Sequence, residues 1–392
     1  MNLGFYYHLP IDPSNGELKT HSEQGVFLDE LASHVDRLTL FLHRANEKEI
    51  PRCEYKLTSK NIRFIDMGFK LPAWDRFLFP KKTLSKIIKE VSSCDLIMVR
   101  APSPLAPQFY SKLHKYTKTC YLVVGDYVHG AKHLHQPWWR KIPIIILSAR
   151  NDRQLTKSLQ NSLTLVNSPV LYDKYRQKVK NLYQVRTTTI SKADLYHREL
   201  TCDKDEIKLL YTGRLDLAKG LRELLKATAI LVEKNINASL HLVAWEDDPK
   251  KPIELLLRNL ALRIKIQKRV FFYSRKKLGS ELNEMYRMAD IYLIPSYHEG
   301  FPRTIWEAMA NSLPVIASKV GGIPEYVGNA AVLIEPQNIS DISDAVSRLV
   351  QDSKEVKRLI KRGYKLASQN TLENTVSEMF SIINNNFKVV DE

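Results

Sequence analysis

The chain has 392 residues, 44% of them hydrophobic and 26% charged, with 14 Gly and 18 Pro. That length suits two domains of roughly 150 to 200 residues, and the composition excludes long disorder, collagen-like repeats and a small disulfide-stapled scaffold. The formal net charge of +16 is uneven: residues 1–200 hold 31 Lys and Arg against 18 Asp and Glu, a net of +13, while residues 201–392 hold 28 against 25, a net of +3.

An anionic partner is therefore expected at the N-terminal half, either nucleic acid or an anionic membrane surface, unless the surplus lysine serves only solubility. Cys53, Cys94, Cys120 and Cys202 are widely spaced, with no CxxC pair and no histidine cluster at ligand spacing, so no structural metal is expected. The opening MNLGFYYHLP lacks the basic segment and apolar core of a secretory signal. The longest aliphatic run, residues 142–147, is interrupted by Pro143 and too short to span a bilayer. The expected location is cytoplasmic, with peripheral attachment to the cytoplasmic face of the membrane as an extension of that reading.

Short apolar runs rich in β-branched and aromatic residues alternate with segments of helical period, the pattern of a parallel sheet covered by helices. In the first half, strands are predicted at 3–7, 38–42, 96–99, 121–124 and 163–166, with helices at 25–35, 83–91 and 170–179. Residues 183–196, with three consecutive threonines and no helical period, read as a late strand followed by a linker. In the second half, strands are predicted at 208–212, 239–244, 270–273, 291–294, 315–317 and 331–334. Helices at 220–234, 253–264, 280–288, 304–311 and 339–351 separate them. The expected architecture is α/β, with two doubly wound Rossmann-like domains in tandem facing across a cleft. Chemistry is then sought in the loops that follow strands. The absence of GxGxxG, GxxxxGK[ST] and GxSxG speaks against dehydrogenase, P-loop and hydrolase readings.

Three such loops stand out. After the first strand of the second half, Gly213-Arg214-Leu215-Asp216-Leu217-Ala218-Lys219-Gly220 leads into a helix. Gly213 permits a tight turn, and Arg214 and Lys219 place two cations beside a helix N-terminus, a combination suited to a diphosphate. After the strand at 291–294 comes Pro295-Ser296-Tyr297-His298-Glu299-Gly300-Phe301-Pro302, with Glu307 inside the following helix. Its neighbours Trp306, Ala308 and Met309 look buried, and a buried carboxylate needs partners that ligand hydroxyls would supply. The third loop, Lys319-Val320-Gly321-Gly322-Ile323-Pro324-Glu325, lets backbone approach a ligand closely.

The series GRLDLAKG, ELNEMYRMADIYLIPS, HEGFPRTIWEAMANSLPVIAS and VGGIPE, spread over about residues 205–350, resembles the donor-binding domain of the retaining glycosyltransferases of family 4, which have the GT-B fold. Glu299 and Glu307, separated by seven residues, match that family's paired-glutamate motif. The resemblance implies that Gly213, Arg214 and Lys219 hold the donor diphosphate. It implies also that Glu299 and the backbone at Gly300, Phe301 and Pro302 contact the donor sugar, and that Glu307 accepts from the ribose. Arg214, Lys219 and Glu299 are thereby the expected catalytic groups. Ser312 departs from the pattern, standing where relatives commonly carry glycine.

The N-terminal half resembles the family's acceptor-binding domain weakly. Gly25 occupies the position where relatives place a glycine-rich loop near the diphosphate, and Asp126 and His129 follow the strand at 121–124, where relatives place an Asp or His. The implied domains are 1–195 for the acceptor and 196–375 for the nucleotide-sugar donor, with a C-terminal helix at 376–392 returning to the first. The implied reaction is transfer, with retention, from a nucleotide-diphosphate sugar to a glycan or lipid-linked acceptor in cell-surface polysaccharide or lipopolysaccharide synthesis. No cofactor, obligatory metal or nucleic acid is expected. A sugar-nucleotide epimerase or phosphorylase on the same fold, and a non-catalytic nucleic-acid binder using the basic half, are the alternatives.

The basic half also interleaves aromatics with cations. Residues 71–89 mix Trp74, Phe77 and Phe79 with Arg76, Lys81, Lys82, Lys86 and Lys89, and residues 135–150 set Trp138 and Trp139 beside Arg140 and Lys141. This composition suits an anionic bilayer surface, or else a core with a solvated lysine face.

Overall fold

A computed structural model describes residues 1–70, 84, 87–132, 137–246, 248, 250–300 and 302–387. The chain divides into two compact units, Met1–Thr187 with Glu373–Glu392, and Thr188–Leu372.

In the first unit the strands are β1 Asn2–Asp12, β2 Lys19–Thr20, β3 Arg37–Arg44, β4 Tyr55–Lys56, β5 Ile62–Phe69, β6 Leu96–Ala101, β7 Lys118–Val123, β8 Leu163–Val166 and β9 Leu182–Gln184. Between them lie α1 Ser22–Ser33, α2 Ile88–Val91, α3 Ala106–Leu113, α4 Tyr127–Lys132, α5 Trp138–Leu159 and α6 Pro169–Tyr175. Among the described residues the parallel strands follow the order β5-β3-β1-β6-β7-β8-β9, and β2 and β4 add a short antiparallel extension to the end of β1. Alternate residues of β6 and β7, such as Ile97, Val99, Tyr121 and Val123, enter one core with Phe109, Leu155 and Leu159 from the helices. Period-2 alternation in the strands and period-3.6 stripes in the helices thus meet on a shared face. The strand expected beyond residue 182 covers only Leu182–Gln184, where β9 pairs with β8.

The second unit contains β10 Ile207–Arg214, β11 Ala238–Trp245, β12 Val270–Tyr273, β13 Ile291–Ile294, β14 Val315–Ser318 and β15 Val332–Ile334. Its helices are α7 Leu221–Glu233, α8 Pro252–Arg263, α9 Ser280–Met288, α10 Arg303–Ala310, α11 Ile323–Val327, α12 Ile339–Gln351 and α13 Ser353–Gln369. A final helix, α14 Leu372–Phe387, lies in the first unit from Glu373 onward. The sheet is parallel in the order β12-β11-β10-β13-β14-β15. Both its faces are covered: Leu209 and Tyr211 enter the core built with α7, α8 and α12, while Leu210 enters the core built with α9, α10 and α11. Burial on both sides explains why these strands are nearly continuous apolar runs.

Chain order reverses between β10 and β13. In a doubly wound sheet this switch point opens a crevice beyond the carboxyl ends of the strands, because the loops of the two central strands leave toward opposite faces. The loops carrying Arg214, Lys219 and Glu299 are the ones that flank it.

Residues 188–195, expected at the end of the first domain, belong to the second unit. Ile190 is part of its core, and Arg198 donates to the carbonyls of Arg287 at 3.0 Å and Ala289 at 2.6 Å. Among the described residues no helix is long and apolar enough to cross a membrane.

Candidate active site

Three strand-to-helix loops of the second unit are tied together by main chain. The Tyr297 N–H donates to the Ala218 carbonyl at 2.8 Å, joining the loop after β13 to that after β10, and the Gly322 N–H donates to the Gly300 carbonyl at 2.7 Å, adding the loop after β14. Two glycines make these approaches sterically feasible. At Gly220, with φ +70°, a Cβ would sit 2.2 Å from the Pro295 carbonyl oxygen; at Gly321, with φ +55°, it would sit 1.8 Å from that of Glu299. Any side chain at either position would push the loops apart.

The cationic loop begins as β10 ends. Gly213 has φ +147°, and Arg214, the exposed last residue of β10, accepts at its carbonyl from the Tyr211 hydroxyl at 2.9 Å. Asp216 caps the following turn by accepting from the Ala218 N–H at 2.9 Å. Lys219 then ends that turn next to the start of α7, and its Nζ donates to Glu299 Oε1 at 2.6 Å. The same oxygen accepts from Ser296 Oγ at 2.8 Å. One ammonium and one carboxylate, both partly buried, thus meet at the switch point. Phe301 lies outside the described residues. Pro302 is the residue before α10, with φ −78° and extended ψ.

Glu307 is 8% exposed on α10. Its Oε2 accepts from the Tyr286 hydroxyl at 2.7 Å and its Oε1 from Thr189 Oγ1 at 3.2 Å. Because Tyr286 has one proton and gives it to Glu307, Thr212 Oγ1, 2.7 Å away, donates to the phenol oxygen, and the Tyr292 hydroxyl stands 3.2 Å from that same Thr212 oxygen. Burial, and then the Glu307 charge, push the Tyr286 phenol well above its ordinary range, so it stays a donor. This relay from β13 through β10 and α9 to α10 was not anticipated. The available signal was the tyrosine in ELNEMYRMADIY, since a phenol on a buried helix face requires a partner.

Ser312 follows α10 with φ +55°, a left-handed conformation that favours glycine. Its hydroxyl donates to the Tyr196 carbonyl at 2.8 Å and accepts from the Arg198 N–H at 3.2 Å. Serine at this position pins residues 196–198 to the end of α10 in exchange for backbone strain.

The N-terminal candidates have other occupations. Asp126 accepts from the backbone N–H of Val128 at 2.8 Å and of His129 at 3.1 Å at the start of α4, and pairs with Lys174 at 2.9 Å. Burial raises its pKa, but the Lys174 bond and these N–H donors outweigh that and hold it below the usual range. His129 is exposed on α4. Gly25 is buried in α1, where a Cβ would come within 2.1 Å of the Tyr55 ring, so close packing on that ring already accounts for the glycine.

Together, the two α/β units and the loop chemistry at the switch point define a two-unit, doubly wound fold of the GT-B type. The segment 192–366 matches the family model of glycosyl transferases group 1. Among proteins of similar sequence, an uncharacterised glycosyltransferase, MJ1607, of Methanocaldococcus jannaschii is 32% identical over 159 residues, 40% of this chain and 39% of that one. The D-inositol 3-phosphate glycosyltransferase of Corynebacterium glutamicum is 32% identical over 159 residues, 40% of this chain and 38% of that one. The chain thus spans about two fifths of the length of the curated relatives it matches. A crystal structure of Anabaena HepE in complex with UDP superposes with a TM-score of 0.73 at 17% identity, covering 97% of this chain and all of that one.

Proposed function

We propose that this chain is a retaining glycosyltransferase that moves a sugar from a nucleotide diphosphate to a glycan or lipid-linked acceptor, in the synthesis of cell-surface polysaccharide or lipopolysaccharide. The observation that carries this reading is the Lys219–Glu299 pair at the switch point, with Arg214 on the adjoining strand end. A departing nucleotide diphosphate gathers negative charge while the ring carbon becomes oxocarbenium-like. The first change calls for fixed cations and the second for acceptors that hold the sugar hydroxyls. Arg214 and Lys219 meet the diphosphate, with the N-terminus of α7 adding partial positive charge. Glu299 and the Gly300 backbone orient the sugar, and Glu307, held by Tyr286 and Thr189, accepts from the ribose hydroxyls.

Retention follows from attack on the same face that the leaving group vacates, with a phosphate oxygen taking the acceptor proton, so no separate protein base is assigned. Protein cations neutralise the phosphates, and no obligatory metal or cofactor enters the scheme. HepE was crystallised with UDP, which makes UDP one of the donor bases to test first.

The test is a thermal-shift screen of the chain with UDP, GDP, ADP and their sugars, followed by product analysis with the sugar that binds. Stabilisation by one nucleotide and its sugar, lost in Glu307→Ala, and a transferred sugar of unchanged anomeric configuration are expected. No shift with any nucleotide rejects the assignment. An inverted product rejects retention, and an epimerised sugar or a sugar phosphate as product replaces transfer with the corresponding chemistry on this fold.

A further inference from the structure

Helix α5 reads WWRKIPIIILSARNDRQLTKSL, Trp138–Leu159. Its inner face is fixed: Leu155 and Leu159 enter the core of the first unit, Asn151 donates to the Pro104 carbonyl at 3.2 Å, and Ser158 donates to that of Pro107 at 2.9 Å. The outward stripe, at 100° per residue, consists of Trp139, Ile142, Ile146, Arg150, Arg153 and Lys157, all of them exposed. Trp139 is 55% exposed, Ile142 50% and Ile146 62%, and Trp138 at the flank is 74% exposed. Isolated apolar side chains on a surface are ordinary, whereas four on one end of a single helix form a patch.

Charge identifies what covers that patch. The stripe is segregated along its length, with roughly 10 Å of indole and isoleucine followed by roughly 10 Å bearing three cations. The Arg140 guanidinium lies 4.6 Å over the Trp139 ring, adding a cation at the apolar end. The helix carries one carboxylate, Asp152, which faces inward and is taken up by Lys174 at 2.7 Å and Tyr175 at 3.1 Å. The outward face is therefore apolar and cationic with no acidic group on it. A nucleic acid would engage the cations and leave Ile142 and Ile146 in water. A protein interface core would be depleted of charge where this stripe is most charged.

We propose that α5 is a docking helix for an anionic lipid surface. The Trp138–Ile146 end enters the boundary between headgroups and acyl chains, and Arg150, Arg153 and Lys157 lie on lipid phosphates. The lengthwise division sets the helix at an incline, apolar end deeper, so the first unit is oriented on the membrane as well as held there. This concerns the first unit alone and does not depend on the reaction assigned to the second.

The test is co-sedimentation of the full chain with phosphatidylcholine vesicles and with vesicles also containing phosphatidylglycerol, at low and high salt. Binding to the anionic vesicles alone is expected, weakened by salt. Ile142→Ser with Ile146→Ser should lower the partition coefficient roughly tenfold or more. Arg150→Gln, Arg153→Gln and Lys157→Gln together should lower it by a similar factor or more and flatten the salt dependence. All five positions are exposed, so thermal melts should match the parent chain and a loss of binding cannot be ascribed to unfolding. Brominated lipid should quench tryptophan emission, and Trp138→Phe with Trp139→Phe should remove that quenching while binding persists. Failure to sediment, equal binding to neutral vesicles, or binding unchanged by the isoleucine substitutions would overturn the proposal. So would self-association, abolished by those same substitutions, in a chain that ignores vesicles. A chain that binds a nucleotide sugar but no vesicle overturns the docking helix and leaves the transfer reading in place.

Discussion

Lys219 Nζ lies 2.6 Å from Glu299 Oε1 although eighty residues separate them in sequence. Each side chain sits on the loop leaving one of the two strands between which the sheet reverses its order, so the pair is made by the topology.

Lys219→Met should remove a charge-assisted contact to the leaving group and lower kcat/KM by about a hundredfold, or about 2.7 kcal/mol of transition-state stabilisation. Lys219→Arg should restore part of it. A fall in kcat as well as a rise in the donor KM, measured by initial rates with the identified nucleotide sugar, is the expected pattern. An unchanged kcat would confine Lys219 to ground-state binding.

Tyr286→Phe removes a hydroxyl that donates to the buried Glu307 carboxylate. It should cost about 1 to 3 kcal/mol in urea unfolding and weaken nucleotide binding in the same variant. Glu307→Gln keeps the shape and should bind nucleotide less tightly while remaining folded, as read by calorimetric titration.

Gly321→Ala and Gly279→Ala separate two costs. Gly279 has φ +100° with nothing within 4 Å of an added Cβ, so only backbone strain of about 1 to 3 kcal/mol is expected. Gly321 has in addition the Glu299 carbonyl oxygen 1.8 Å from that Cβ. Its substitution should cost clearly more in thermal melts and should also impair donor binding by moving the Glu299 loop.

Ser312→Ala keeps the positive φ and loses both hydroxyl bonds, a change expected to cost about 1 to 2 kcal/mol. Ser312→Gly relieves the strain as it loses the bonds and should lie closer to the parent. Equal destabilisation of the two would show that the hydroxyl alone matters.

His241 is buried on β11, with Nε2 3.0 Å from Ser239 Oγ and Nδ1 3.0 Å from the Tyr273 hydroxyl. Burial, with Lys208 adding to it, lowers its pKa from 6.5 to about 4. The unfolded chain therefore takes the proton first. Stability contributed by neutral His241 is complete above pH 6.5 and is lost as the pH falls toward 4. A loss of about 1 to 3 kcal/mol across that window, absent in His241→Gln, is expected from urea melts in a pH series.

The second unit was the more legible part of the chain. Strands such as Ile291–Ile294 and Val315–Ser318 are buried on both faces and bounded by clear turn residues, so their apolar runs mark their ends. Their loops could then be read for charge, and Glu307 stood out because its neighbours are apolar. The first unit hid more. β5 has a mixed sequence, IRFIDMGF, and lies at the edge of its sheet, so no apolar run marks it; α5 carries Trp138, Trp139, Ile142 and Ile146 outward, a pattern that could be read as core. Tyr286 and Thr189 could not be assigned from spacing, because what joins them to Glu307 is the folding of distant segments onto one carboxylate.

The backbone ties among the loops after β10, β13 and β14 have a consequence for how such a protein diversifies. Since N–H and C=O groups set the spacing, the side chains of these loops can differ while the ties themselves persist. Side-chain chemistry in the three loops is thus separable from the main-chain scaffold that holds them together, and selection has room to retune the one while leaving the other intact.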